Sequence, residues 1–344
     1  MMKMKMMSEN RKILYIGNNL TRKTKYPTTL ETLSNLLKIE KYTVYTSSNK
    51  INKVIRLVDM CFSVIYYRNK IDYLLIDTYS TTNFYYALIT SQLARVFKIK
   101  YIPILHGGNL PRRLIKSKFF SKMIFNNSYK NIAPSNYLKS EFEKHSYKTS
   151  FIPNTLNIKE YPFKERKFIQ PRLLWVRAFK QIYNPVLAVQ TLKLLKEKHP
   201  NSILCMIGPF LDNSYEETLE LIEKYGLKDS VEFTGVLSKK EWHKKSIDCD
   251  IFINTTNFDN TPVSVIEAMA LGLPIVSTNV GGLPYLIDHQ IDGLLVEKED
   301  SNQMTNAICD LIENKYPKLA SSARTKVENF DWNTVKHKWL EVLK

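Results

Sequence analysis

Two acidic residues, Asp259 and Glu267, are separated by seven others in the stretch INTTNFDNTPVSVIEAMALGLPIVSTNVGGLPYLI, Ile253 to Ile287. Between them run Asn260, Thr261, Pro262, Val263 and Ser264. Thr261 suits a helix N-cap, and Pro262 suits the first helical position, where a missing N–H costs nothing. A helix starting there leaves the amides at 261–265 free, and with the positive end of the helix dipole they can hold a diphosphate. Glu267 then lies one turn in, on the face of Val263, where a carboxylate can accept hydrogen bonds from a vicinal diol such as a ribose. Asp259 precedes the helix beside the diphosphate end, within reach of sugar hydroxyls. Acid, amide-rich turn and acid are thus ordered like the sugar, diphosphate and ribose of a nucleotide sugar. Taken singly, Asp259 reads equally well as a turn residue and Glu267 as a solvated helix residue; order and spacing together carry the functional reading. Gly272 past the helix end and Pro274 beyond it set the stop. Gly281-Gly282 follows the next strand, where a missing Cβ lets backbone approach a ligand.

Positioning these residues requires an α/β frame, and short β-rich runs do alternate with helical-period stretches throughout. Strands are expected at Ile13–Gly17, Thr43–Ser47, Tyr73–Asp77, Tyr101–His106, Asn131–Pro134 and Phe151–Pro153, with helices such as Thr28–Leu37, Lys53–Tyr67 and Phe84–Val96 between them. After a linker around Tyr161–Gln170 the alternation restarts, with strands at Leu173–Arg177, Ile203–Gly208, Val231–Thr234, Ile251–Asn254, Ile275–Thr278 and Gly293–Val296. Such alternation implies parallel sheets covered by helices. Two runs of it imply two facing Rossmann-like domains, 1–165 and 166–325, with a ligand cleft between them. Residues 326–344, with Trp332 and Trp339 on one stripe, read as a closing helix that returns to the first domain.

At 344 residues with 44 % hydrophobic and 24 % charged side chains, the chain can bury ample core, which excludes disordered, collagenous and disulfide-scaffold classes. Cys61, Cys205, Cys249 and Cys309 lie far apart without a CxxC pair and read as buried thiols in a reducing compartment. No apolar run reaches a membrane span; the longest candidate, Val58 to Tyr67, is about half of one. The basic start MMKMKMMSENRK has no apolar core, so no signal peptide is expected and the cytoplasm is the default location.

The formal net charge of +17 is unevenly divided. Residues 1–168 hold 30 Lys and Arg against 10 Asp and Glu, whereas residues 169–344 hold 20 against 23. The basic half suits an anionic partner surface or reflects general drift toward lysine. Its densest run, Pro111 to Phe125, sets Arg112, Arg113, Lys116, Lys118 and Lys122 among Phe119, Phe120 and other apolar residues. It reads as an interfacial helix for an anionic membrane or acceptor, or as a core helix with a solvated lysine face. No nucleic-acid module accompanies the charge, so nucleic acid is not the expected partner.

With Asp259–Glu267, EAMALGLP and VGG in place, the chain resembles the retaining GT-B glycosyltransferases of family 4, the glycosyl transferases group 1. One departure is that the first acid of the family's motif is usually Glu and here is Asp, one methylene shorter. The resemblance implies further assignments. LLWVRAF looks like the family's phosphate-binding strand and gives Arg177 to the donor diphosphate. The companion Lys normally precedes a Gly where Tyr183-Asn184 stands here, and Lys180 is the nearest cation. Gly17-Asn18-Asn19 resembles the glycine-containing loop facing donor and acceptor, and ILHGG places His106 at a strand end near the donor sugar. IPNTLN, Ile152–Asn157, resembles the interdomain hinge, and VEFTG, ending at Gly235, the loop bordering the nucleobase.

The implied activity is retaining transfer from a nucleotide-diphosphate sugar, UDP- or GDP-linked, to a saccharide or lipid-linked acceptor in surface polysaccharide synthesis. The nucleotide sugar is a co-substrate; no cofactor and no metal is expected. Asp248-Cys249-Asp250 spells a metal-binding DxD but leads straight into an apolar strand. Alternatives are a GT-B sugar-nucleotide epimerase, which needs no acceptor, a phosphorylase, which needs inorganic phosphate, and a non-catalytic basic protein that binds RNA.

Overall fold

Twelve short runs rich in β-branched and aromatic residues pair into two six-stranded, wholly parallel sheets. The computed structural model describes residues 11–19 and 28–344. The basic stretch Met1–Asn10, read above for a leader, lies outside the described residues.

The first unit comprises β1 (Lys12–Ile16), α1 (Thr29–Ile39), β2 (Thr43–Ser47), α2 (Lys53–Tyr67), β3 (Tyr73–Thr78), α3 (Asn83–Val96) and β4 (Lys100–Leu105), then α4 (Leu110–Lys116), α5 (Lys118–Phe125), β5 (Asn131–Ala133), α6 (Asn136–Lys144) and β6 (Thr149–Phe151). The second comprises β7 (Arg172–Val176), α7 (Pro185–Lys198), β8 (Ile203–Ile207), α8 (Ser214–Lys224), β9 (Val231–Gly235), α9 (Lys239–Lys245) and β10 (Ile251–Asn254), then α10 (Val263–Ala270), β11 (Ile275–Thr278), α11 (Leu283–Leu286), β12 (Leu294–Val296), α12 (Ser301–Ile312) and α13 (Leu319–Glu328). A last helix, α14 (Trp332–Val342), belongs to the first unit.

The first sheet has strand order β2-β1-β3-β4-β5-β6 and the second β12-β11-β10-β7-β8-β9. In each, successive strands run off to opposite sides of the first strand, so chain order reverses between β1 and β3 and between β7 and β10. Parallel sheets bind ligands beyond the carboxyl ends of their strands at such switch points. Both faces of each sheet are covered, which is why inner strands such as β3 and β10 are buried along their whole length, while the edge strands β2 and β9 are only partly so. Helix starts follow the local chemistry: Asn52 accepts from the Val54 and Ile55 amides ahead of α2, and Ser238 and Glu241 form a capping box on α9.

The chain passes from the first unit to the second between Asn154 and Thr155, and returns between Asp331 and Trp332. The crossing thus lies inside Ile152–Asn157, ahead of the expected boundary at 165. Residues 155–165 are tied to the second unit instead, through Tyr161 on Glu267 and the Lys164 amide on the Leu271 carbonyl. Lys326 likewise stays with the second unit, bonding the Leu286 carbonyl and Asp288. The returning segment is therefore 332–344, with Val335 and Trp339 packed beside Leu30, Leu33 and Leu37 of α1.

Candidate active site

Arg177 directly follows β7, its amide extending the ladder to the Ile207 carbonyl at 2.9 Å. Its guanidinium lies over the Tyr183 ring, 4.4 Å from the centroid, and forms an ion pair with Asp259. Burial pulls its pKa below the usual arginine range. Asp259 follows β10, so the two side chains meet at the switch point of the second sheet.

The turn between Asp259 and α10 differs from the expected one. Pro262, not Thr261, is the N-cap, with extended ψ, and its carbonyl accepts from the Val265 and Ile266 amides at 3.2 and 3.3 Å. Those two amides are therefore engaged, and the first-turn donors are those of Val263 and Ser264. The proline carbonyl already performs the capping, so the Thr261 side chain is not used for it. The Thr261 and Ser264 hydroxyls are both buried with no partner among the described residues. Asn260 donates its amide to Asp259 Oδ1 at 2.7 Å.

Gly281-Gly282 packs directly against this turn. A Cβ on Gly281 would overlap the Asp259 carbonyl, and one on Gly282 the Asn260 carbonyl. The Gly282 amide donates to the Asp259 carbonyl at 2.9 Å. Absence of both side chains lets two backbones touch and seats the acid.

Glu267 is buried, not solvated. It accepts from the Tyr161 hydroxyl at 2.8 Å and pairs with Lys239 Nζ at 2.8 Å. Burial and Glu267 both raise the Tyr161 pKa, keeping it a neutral donor. His243, packed on Tyr161 at 4.7 Å, has its pKa lowered by burial. Tyr161, Lys239 and His243 were not apparent in the sequence, because helix period says nothing about which distant side chains close on Glu267. Lys180 is exposed at the head of a turn at 181–183, where its charge helps lower the Asp212 pKa. Asn184, at the usual glycine position, adopts a left-handed φ of 46° and caps α7. Gly235 ends β9 with φ 67° and open space around its α-carbon. Asp250 of the DxD sequence is buried against Arg172 at 2.6 Å and Arg166 at 3.8 Å, a structural ion pair ahead of β10.

In the first unit, His106 follows β4 and is buried. Its Nε2 lies 2.8 Å from Asp77 Oδ1, which also accepts from the Tyr15 hydroxyl at 2.8 Å. Tyr79 stacks on the imidazole at 4.8 Å. A Cβ on Gly17 would overlap Asp77 Oδ2, so glycine is needed there to admit this carboxylate. The cluster occupies the carboxyl ends of β1, β3 and β4, at the switch point. Asp77 escaped notice, although an acid closing a parallel strand was the available signal. Asn18 anchors buried Arg56 through its Oδ1 at 2.9 Å.

The basic run Pro111–Phe125 forms two helices, α4 and α5. Arg112, Lys116, Phe119 and Phe120 are exposed. Arg113 is not a free surface cation. It donates to the Ser80 carbonyl at 2.8 Å and lies over Phe84 and Tyr85, 5.1 and 5.4 Å from their centroids.

Residues 157–329, half of the chain, match the family model of the glycosyl transferases group 1. The chain belongs to that family. It is 28 % identical to Bacillus subtilis spore coat protein SA over 179 residues, 49 % of this chain and 48 % of that one. It is 33 % identical over 122 residues to the putative colanic acid biosynthesis glycosyltransferase WcaL of Escherichia coli, 33 % of this chain and 30 % of that one. It thus spans about half or less of the length of these curated relatives. In fold it is similar to Anabaena HepE, crystallised with UDP, with a TM-score of 0.75, 16 % identity, and coverage of 97 % of this chain and 99 % of that one. The two parallel six-stranded units are those of the GT-B architecture. Among the described residues no helix is long and apolar enough to cross a membrane.

Proposed function

We propose that this protein is a retaining, family 4 glycosyltransferase that moves a sugar from a nucleotide-diphosphate sugar to a saccharide or lipid-linked acceptor during surface polysaccharide synthesis. The carrying observation is the meeting of Arg177 and Asp259 at the switch point, where two buried, unpartnered hydroxyls stand at the start of α10. A buried hydroxyl without a partner is costly, and a bound phosphate oxygen would relieve both. Anabaena HepE, which has the same fold, was crystallised with UDP and with UDP-glucose, which favours a uridine donor. The similarity to WcaL, named a putative colanic acid biosynthesis glycosyltransferase, supports a polysaccharide product.

In this reading Arg177 turns from Asp259 to the diphosphate, while the Val263 and Ser264 amides and the Thr261 and Ser264 hydroxyls bind its oxygens. Charge developing on the leaving diphosphate is then stabilised by these groups and the α10 dipole, with no step assigned to a metal. Asp259, freed from Arg177, accepts from hydroxyls of the transferred sugar. Glu267, oriented by Tyr161 and Lys239, accepts from the ribose. Gly235 borders the base, Lys180 contributes long-range positive charge, and Gly17 and Asn18 shape the loop on the first unit. His106, fixed by Asp77, is the first unit's candidate catalytic side chain. As the sugar–phosphate bond breaks, a leaving phosphate oxygen takes the acceptor proton and the new glycosidic bond forms on the same face.

A thermal-shift panel of UDP-, GDP-, ADP- and dTDP-sugars tests the donor site. One class is expected to raise the melting temperature in a concentration-dependent way, and failure of all four overturns the reading. Retention is checked by the anomeric configuration of the product.

A further inference from the structure

Helix α2 is apolar on two sides. Met60 and Val64 face the sheet, yet Val54, Val58, Phe62 and Tyr66 repeat every four residues on the outer side and are 71, 62, 64 and 52 % exposed. A surface helix ordinarily keeps one apolar stripe for the core and a polar face for water. Single exposed apolar residues are common, but a continuous stripe marks an interaction surface. Helix α3 packs between α2 and α5 on the same side of the sheet, and the face continues to Ile115 and Phe119, 70 and 71 % exposed.

Charge identifies the occupant. From Lys41 to Lys130 the chain carries 15 Lys and Arg and three acids, Asp59, Asp72 and Asp77. Asp77 is buried against His106, Asp72 pairs with Arg11 and Asp59 is half-buried beside Ser47, so cations outnumber exposed acids on this face. Lys70 lies over the Tyr66 ring at 3.9 Å, setting a cation at the end of the stripe. Lys116, Lys118 and Lys122 flank Phe119. A second copy of this chain would set two basic faces together, and a nucleic acid would leave the aliphatic stripe in water. Apolar insertion and cationic attraction add at an anionic bilayer surface.

We infer that the outer face of α2, continued across α3 to α4 and α5, docks the protein on an anionic lipid bilayer. The stripe is independent of the donor-site reading, and the test separates the two. The full chain is co-sedimented with vesicles of phosphatidylcholine and phosphatidylglycerol, and with phosphatidylcholine alone. Binding is expected to the anionic vesicles only and to weaken with salt. Val58→Asp/Phe62→Asp should lower partitioning at least about tenfold. Lys116→Ser/Lys118→Ser/Lys122→Ser should lower it about 100-fold, at roughly fivefold per cation. Both variants are expected to keep the wild-type melting temperature and its shift with UDP-glucose, because the altered side chains are exposed. If the double aspartate variant unfolds, Phe62→Ser provides the same comparison. Failure of the wild type to bind anionic vesicles at low salt, or undiminished binding by folded Val58→Asp/Phe62→Asp or Phe62→Ser, overturns the inference. So does a dimer that these variants dissociate without any vesicle binding.

Discussion

The two sheets carry their candidate site side chains at the same topological place but assemble them differently. In the second unit, Arg177 leaves β7 and Asp259 leaves β10, and the acid belongs to a contiguous turn–helix segment that also contains Glu267. In the first unit, Tyr15, Asp77 and His106 come from three separate strands, and none has a neighbour in sequence that betrays its partner. A switch point brings strand ends together in either case. What differs is that the second unit sets its acid in a contiguous turn–helix segment, which shows as a motif, whereas the first unit builds a side-chain cluster, which does not.

That contrast can be broken most directly at Glu267. Glu267→Ala should lower donor turnover about 100-fold in kcat/KM, equivalent to ~3 kcal/mol for a lost charge-assisted bond. Near-normal steady-state turnover would show that Tyr161 and Lys239 hold a purely structural carboxylate.

Gly282→Ala tests whether the motif's glycines seat the Asp259 turn. Overlap with the Asn260 carbonyl should destabilise the fold by about 1–3 kcal/mol, read in denaturant unfolding, and impair donor thermal shifts. Unchanged stability together with weakened donor binding would return these glycines to a ligand-facing role.

In the first unit, Asp77→Asn keeps the shape but offers an amide to His106 and Tyr15. A kcat loss of at least about tenfold, with the UDP-sugar thermal shift preserved, is expected if Asp77 orients a working imidazole. A change in melting temperature alone would make the cluster structural.

Arg112 and Arg113 sharpen the comparison within one helix. Arg113→Ala should cost about 1–2 kcal/mol through its lost bond to the Ser80 carbonyl and its ring contacts, whereas Arg112→Ala should stay within about 0.5 kcal/mol. Urea unfolding of both variants decides it.

The smallest effect concerns pH. The folded state lowers the His243 pKa through burial, so the unfolded chain takes up the proton more readily and stability falls as pH drops through the ordinary histidine range. His243→Gln should flatten this loss in melting curves taken from neutral to mildly acidic pH.

The twelve strands, their parallel pairing and the turn–helix segment from Asp259 to Glu267 were legible in the chain because apolar run length and acid spacing are local properties. Local chemistry also placed Pro262 near the helix start, but could not say that its carbonyl would displace Thr261 as the cap. Composition likewise marked the basic half, yet it could not tell that Arg113 is held among rings while Val58 and Phe62 face outward. The unit boundary followed contacts rather than composition, with Tyr161 drawn to Glu267 across 106 residues. By itself, then, the sequence determined which elements form and where the turn ahead of α10 starts, since both depend on residues within a few positions of one another. Tertiary structure alone decided that Arg177 meets Asp259, that Tyr161 and Lys239 close on Glu267, and that Asp77 sits under Gly17 against His106. Those pairings depend on strand order in the sheet, which no local stretch encodes.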